Sequence, residues 1–131
     1  MPDKRQLVQE WFAHGEDDLK TIRIAFPEGG PLGTAAFLLQ QVVEKYLKGY
    51  LIYEGWRLRK THDLVILLDE ATKYDASFQD FLDLARQLNA YYVESRYPAD
   101  TLTTYSREEI ADALSKTEHL VAKVRNTTKI A

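Results

Sequence analysis

The stretch that most limits the fold runs from Phe37 to Leu51. Wound as an α-helix it separates into two sides. Leu38, Leu39, Val42, Val43, Tyr46, Leu47 and Tyr50 share one, and Gln40, Gln41, Glu44, Lys45 and Lys48 share the other. A surface helix normally buries a stripe about 100° wide, whereas this apolar arc covers roughly half the circumference. Such a helix needs more than one neighbour, which places it at the centre of a bundle. Its polar residues are grouped as well: Gln41, Glu44, Lys45 and Lys48 form one patch, with Glu44 and Lys48 in the favourable i,i+4 order. Two readings of the patch stay open, a solvated face carrying one helix ion pair or a binding face.

The 131 residues suffice for a single domain, 1–131, with its core at about 4–125. A net charge of −3 argues against a whole-protein attraction to nucleic acid or anionic membrane, and leaves room for a local basic patch. The chain has no cysteine, which excludes disulfides, thiolate metal sites and cysteine nucleophiles. No apolar run approaches the length of a membrane span, and Met1–Arg5 is not followed by the apolar core of a signal peptide, so a cytoplasmic location is expected.

Taken in order, Asp3 with Gln6 predicts the start of a first helix, with Leu7, Trp11, Leu19, Ile22, Ala25 and Phe26 on its buried side. Pro27–Gly33 breaks it, and Thr34 is the expected cap of the central helix, which Gly55 closes. Thr61 is the expected cap of a third helix with the stripe Leu64, Leu67, Leu68 and Ala71. Ser77 with Asp80 opens a fourth, with Phe78, Phe81, Leu82, Ala85 and Leu88 inward. Ser106 with Glu109 reads as a capping box for a fifth, with the stripe Ile110, Ala113, Leu114, Val121 and Val124. Residues 126–131 are expected to fray. No segment alternates with period two over a strand's length. The fold class is therefore all-α: a five-helix, mostly up-and-down bundle.

One connection does not fit that plan. Residues 91–105 link two good helices without a helical stripe, and connections of this length often carry function. Tyr91, Tyr92, Arg96 and Tyr97 lie there, amphipathic side chains that can stack on bases and grip phosphate. The plainer alternative is that the tyrosines seal one end of the core.

Three fragments, taken together, resemble the HEPN domain (higher eukaryotes and prokaryotes nucleotide-binding). Gln41 to Lys48 looks like its Q-x-x-E-K-x-x-K helix, Thr61-His62-Asp63-Leu64 like its T-H-D-L, and Arg96-Tyr97-Pro98 like its R-Y-P. Trp11 and Asp18-Leu19 also fit, and the likeness runs from about Leu7 to Val124. The resemblance implies an all-α domain that commonly dimerises and has a link to nucleotides or nucleic acid. It further implies a separately encoded minimal nucleotidyltransferase as partner, in some cases as a toxin–antitoxin pair.

Some members of that family are metal-independent ribonucleases that use an arginine followed, after four to six residues, by a histidine near a late helix. Arg57 and His62 have the spacing but precede the third helix. Arg96 has no histidine within reach in sequence, and His119 has no arginine at the right interval before it. Cleavage is therefore the runner-up reading, with Arg57 and His62 as its candidates. His62 on its own is as well explained by packing at the start of a helix. No metal-ligand spacing, Ser-His-Asp arrangement or phosphate-binding glycine loop is present, and no cofactor is implied. What remains is binding. Lys45, Lys48, Lys60, His62 and Arg96 are the candidate phosphate ligands, Tyr91, Tyr92 and Tyr97 the stacking surface, and Gln41 and Glu44 the supporting polar face. Lys45 and Lys48, one turn apart, are expected to reach a single phosphate. The reading is a HEPN-like accessory module that binds a nucleotide, or presents a substrate to the transferase. A dimeric scaffold with no small ligand is the remaining alternative.

Overall fold

The computed structural model describes residues 3–94 and 105–130. Five α-helices occur in chain order: α1 (Lys4–Ala25), α2 (Leu32–Tyr53), α3 (Leu64–Tyr74), α4 (Leu82–Glu94) and α5 (Arg107–Thr128). A 3₁₀ segment, Ala76–Phe81, leads into α4, and no strand occurs among the described residues. The all-α, five-helix reading holds. α2 is the hub, packing against α1, α3, α4 and α5.

α1 starts at the expected capping box: the Gln6 N–H donates to Asp3 Oδ1 (2.8 Å) and the Asp3 N–H to Gln6 Oε1 (3.1 Å). Its buried stripe, however, is Val8, Phe12, Gly15, Leu19 and Ile22. Leu7, Trp11 and Phe26 only flank the core, and Ala25 is exposed. Two glycines explain this rotation. A Cβ on Gly49 would stand 2.5 Å from Phe12 Cε1, and one on Gly15 would stand 2.8 Å from Tyr46 Cε2. The paired gaps let the Phe12 side of α1 press directly on α2, where Phe12 and Tyr46 stack at 5.1 Å. The Tyr46 hydroxyl accepts from Arg125 (2.7 Å) and donates to Glu16 (3.2 Å), tying α5, α2 and α1 together. Burial pushes its phenol up to about 12.

Several helix ends differ from the sequence reading. α2 begins at Leu32 after Pro31, with Thr34 exposed and uninvolved as cap; proline's fixed φ starts the helix earlier. Gly55, at φ +99°, closes it as expected. Asp63, not Thr61, caps α3, accepting from the N–H of Val65 (2.9 Å), while Thr61 Oγ1 accepts from the Asp63 N–H. Asp75 rather than Ser77 caps the next segment, so the chain makes 3₁₀ turns before α4. The Glu109 N–H donates to Ser106 Oγ, but the Glu109 carboxylate turns to Tyr91, leaving the box half-formed. Residues 126–130 do not fray away from the core. α5 continues to Thr128, and both Thr128 and Ile130 are buried.

A buried Glu44–Lys48 pair beneath an exposed histidine

Gln40, Glu44 and Lys48 recur every fourth residue and form one line along α2. The sequence left open a solvated face here, and the structure corrects that. Gln40 is fully buried, and Glu44 and Lys48 are 5% and 4% exposed. The side chain of Trp11 on α1 and His62 on the connection after α2 supply contacts that a surface helix would leave to water. The Lys48 ammonium lies 5.4 Å from the Trp11 ring centroid and donates to Glu44 Oε2 at 3.0 Å.

Glu44 is the centre of the cluster. Gln40 Nε2 donates to its Oε1 (3.1 Å), Lys48 Nζ to its Oε2, and His62 Nδ1 lies 3.0 Å from each oxygen. Gln40 Nε2 also donates to the His62 carbonyl (3.3 Å), so the same residue fixes the histidine's backbone. Behind His62, Asn89 of α4 accepts from the Leu64 N–H (2.8 Å) and donates to Asp63 (2.8 Å), which pins the start of α3 to α4.

This geometry determines the protonation pattern of the ring. An ionised carboxylate only accepts, so Nδ1 must carry the hydrogen. In the neutral imidazole, Nε2 then keeps its lone pair, on the edge of the ring away from Glu44. The His62 side chain is 57% exposed. One face of its ring stacks on Tyr92 (centroids 5.6 Å apart, 24° between planes), and Tyr92 in turn stacks on Phe37 (6.4 Å). The result is an aromatic step on the surface, with a fixed imidazole as its outer tread and a neutralised ion pair beneath it.

The other candidate residues separate. Lys45 does not join Lys48: its ammonium pairs with Asp18 on α1 at 2.5 Å, whereas Lys48 points inward, so one phosphate does not find both. Gln41 donates to Gln40 and is half-buried. Arg57 and Lys60 are exposed on the connection that ends at His62, together with Arg59, which lies over Trp56 and reaches Glu70 at 3.7 Å. Tyr91 is buried rather than available for stacking. Its hydroxyl donates to Glu109 and accepts from Gln87, its ring meets Tyr105 edge-on, and burial raises its phenol well above the ordinary range. For Tyr91 the core-sealing alternative holds. Arg96 and Tyr97 lie outside the described residues. Among those described, no group of three or more His, Asp or Glu side chains is placed to hold a metal, and no helix is long and apolar enough to cross a membrane.

Gln40, Phe37 and Asn89 are contributors that the sequence reading did not assign to the site, and Trp11, expected on the buried side of α1, serves here as the aromatic face over Lys48. Gln40 had a signal: it extends the polar line Glu44–Lys48 by one turn on a helix otherwise apolar almost throughout.

The profile of the HEPN domain matches residues 8–127. The chain belongs to the HEPN domain family. Among solved structures, TT1696 from Thermus thermophilus is similar, with a TM-score of 0.79 at 24% identity, over 91% of this chain and 96% of that one. ST0689, described as an archaeal HEPN homologue, superposes with a TM-score of 0.73 at 28% identity, over 92% of this chain and 97% of that one. A search of curated proteins finds no match.

Proposed function

We propose that this HEPN domain is an accessory module that binds a nucleotide through its phosphates at the His62 edge. It acts beside a separately encoded minimal nucleotidyltransferase, with a toxin–antitoxin pairing as one setting for such a partnership. The observation that carries the reading is the exposed His62 ring, held from below by buried Glu44 and stacked on Tyr92, at the end of a connection bearing exposed Arg57, Arg59 and Lys60. Cationic side chains neutralise phosphate, and the flat aromatic step offers a face for a base. Glu44 adds no net repulsion, because Lys48 balances its charge. The domain works as a homodimer in this reading. Ile24, Leu58, Ile66 and Tyr74 are large apolar side chains left exposed by one copy.

The test is calorimetric titration of ATP, GTP and a short RNA at low salt. Binding is expected to weaken as salt rises, because the attraction is local on a chain of net charge −3. Arg57→Gln, Lys60→Gln and His62→Ala should each weaken it, while Lys45→Ala, which breaks only the contact with Asp18, should not. No binding by the wild type at millimolar ligand would refute the reading and favour a scaffold.

A metal-independent ribonuclease is the second reading. Its support is the Glu44–His62 contact, since a carboxylate that fixes a histidine tautomer is what a general base requires. Arg57 shares the connection with His62. Cleavage assisted at both ends needs an acid as well as a base; beside the one imidazole, the exposed Asp63 carboxylate is occupied in capping α3 and accepting from Asn89. Incubation of RNA in a chelator is therefore expected to leave it intact. Cleavage that disappears in His62→Ala would promote this reading.

A further inference from the structure

We propose that Nε2 of His62 is a phosphoryl acceptor, taking the γ-phosphoryl group of a nucleoside triphosphate to form a phosphohistidine. The donor class rests on the nucleotide-binding reading above; the acceptor chemistry rests on the Glu44–His62–Lys48 geometry alone.

A histidine accepts phosphoryl efficiently when one nitrogen is held protonated, the other is free, and the positive charge that develops on the ring is met by an anion. Among the described residues His62 satisfies all three. Nδ1 donates to Glu44, with both oxygens at 3.0 Å, so the lone pair resides on Nε2. The His62 side chain is 57% exposed while Glu44 occupies its Nδ1 edge, so the side chain is open to a donor without any rearrangement of the core. As the Nε2–P bond forms and the bond from Pγ to the bridging oxygen breaks, that oxygen leaves with the electron pair as a nucleoside diphosphate. The proton on Nδ1 stays where it is. The product is therefore a phospho-imidazolium whose positive charge faces the Glu44 carboxylate. That charge is stronger in the product than in the reactant, so the contact with Glu44 assists the transfer rather than only binding the reactants.

Lys48 explains how a carboxylate so near the acceptor is compatible with an anionic donor. Its side chain is only 5% exposed and its ammonium lies 3.0 Å from Glu44 Oε2, so the buried pair is neutral as a unit when viewed by an approaching phosphate. Tyr92 holds the plane of the ring by stacking. Glu44 is thus a positioning residue, and His62 is the nucleophile.

The experiment uses the whole chain and two donors. Phosphoramidate, a small donor that needs no nucleotide site, transfers phosphoryl to imidazole with loss of ammonia. The chain carries its own controls, because His14 and His119 are also exposed and neither contacts a carboxylate among the described residues. Initial labelling rates at the three histidines are read by peptide mass under alkaline conditions. His62 is expected to label at Nε2 roughly tenfold or more faster than the other two, the size of effect that an outer carboxylate exerts through a metal-bound histidine. Glu44→Gln, which can still accept from Nδ1 but carries no charge, should bring His62 down to their level. Should that variant fail to fold, urea-unfolded wild type supplies the same comparison, because the advantage of His62 must vanish there. Equal rates in the native chain, or an advantage that persists in Glu44→Gln or in urea, would overturn the proposal. ATP or GTP labelled in the γ-phosphate should then give an acid-labile, alkali-stable label on His62 that is absent from His62→Asn. If calorimetry shows nucleotide binding and no label appears, phosphoryl transfer is refuted and binding survives. If neither nucleotide binds, the binding reading and its donor fall, and the phosphoramidate rates alone decide the acceptor.

Discussion

Replacing both members of the buried pair, Glu44→Leu with Lys48→Met, should disturb stability far less than replacing either one. In Glu44→Leu the Lys48 side chain, only 5% exposed, loses its hydrogen-bonding carboxylate, and its ammonium keeps only the Trp11 face. Stranding a buried charge in this way costs about 3–5 kcal/mol. In Lys48→Met the Glu44 carboxylate retains Gln40 and His62 as donors, so the loss is closer to that of one charge-assisted hydrogen bond, about 1.5–3 kcal/mol. In the double variant no buried charge is left, and leucine and methionine fill similar volumes. His62 can turn to water because more than half of its side chain is exposed. Exchange of a buried pair for packed apolar groups is often neutral or stabilising, so the double variant should fall within about 1 kcal/mol of the wild type or exceed it. Urea unfolding of the four proteins at neutral pH gives the coupling directly. A double variant as unstable as the sum of the two single ones would show that the charges do not depend on each other. The reasoning from burial would then be wrong.

Three further outcomes are expected. Gly49→Ala should destabilise by about 1–3 kcal/mol despite alanine's better helix propensity, because its Cβ would stand 2.5 Å from Phe12, which is buried and stacked on Tyr46. A denaturation midpoint at or above wild type would refute the close-packing account. Hydrogen bonds from Ser77 and the Lys123 ammonium hold the Asp75 carboxyl down at about 2, against an ordinary 3.8. A depressed carboxylate contributes stability above its unfolded pKa and loses it as pH falls toward the folded one, so Asp75→Asn should flatten the acid melting curve between about pH 4 and pH 2; an unchanged slope would count against the contact. Light scattering at tens of micromolar should give a dimer mass, and a monomer mass independent of concentration would remove the homodimer from the functional reading.

The bundle was legible because its apolar residues repeat at helical intervals, and burial follows that period wherever helices pack. α3 matched throughout: Leu64, Leu67, Leu68 and Ala71 are all buried. The first half of α1 is read one residue out of phase, whereas Leu19 and Ile22 in its second half are buried as expected. Leu7 and Trp11 are larger and more apolar in appearance than Val8 and Gly15, but helix approach is decided by what fits, and the Gly15–Tyr46 and Gly49–Phe12 contacts are properties of two helices together. The caps failed where several capping residues stood close together, as with Thr61 and Asp63 or Asp75 and Ser77. The candidate site was legible in its members and not in its grouping. Glu44, Lys48 and His62 were all named, yet Lys45 was assigned to Lys48 because sequence spacing brings them together on α2. Only the placement of Asp18 on α1 and of His62 near the end of the 54–63 connection draws the two lysines apart.

The position of the cluster also bears on why it is charged at all. α2 contacts four other helices, and a leucine at 44 and a methionine at 48 would suit such a helix at least as well on packing grounds. Gln40 is fully buried, so it too could be apolar were its amide not required by Glu44 and by the His62 carbonyl. Three consecutive turns of the most buried helix are thus given to polar groups whose hydrogen bonds converge on Glu44, the carboxylate that holds the exposed ring. A fold needing only stability gains little from that arrangement, and a surface histidine needing only solubility gains nothing from a buried carboxylate. The arrangement makes physical sense if the tautomer and orientation of His62 matter at the surface. The double variant separates these two requirements: it should retain the fold, and His62 in it should behave like His14 and His119.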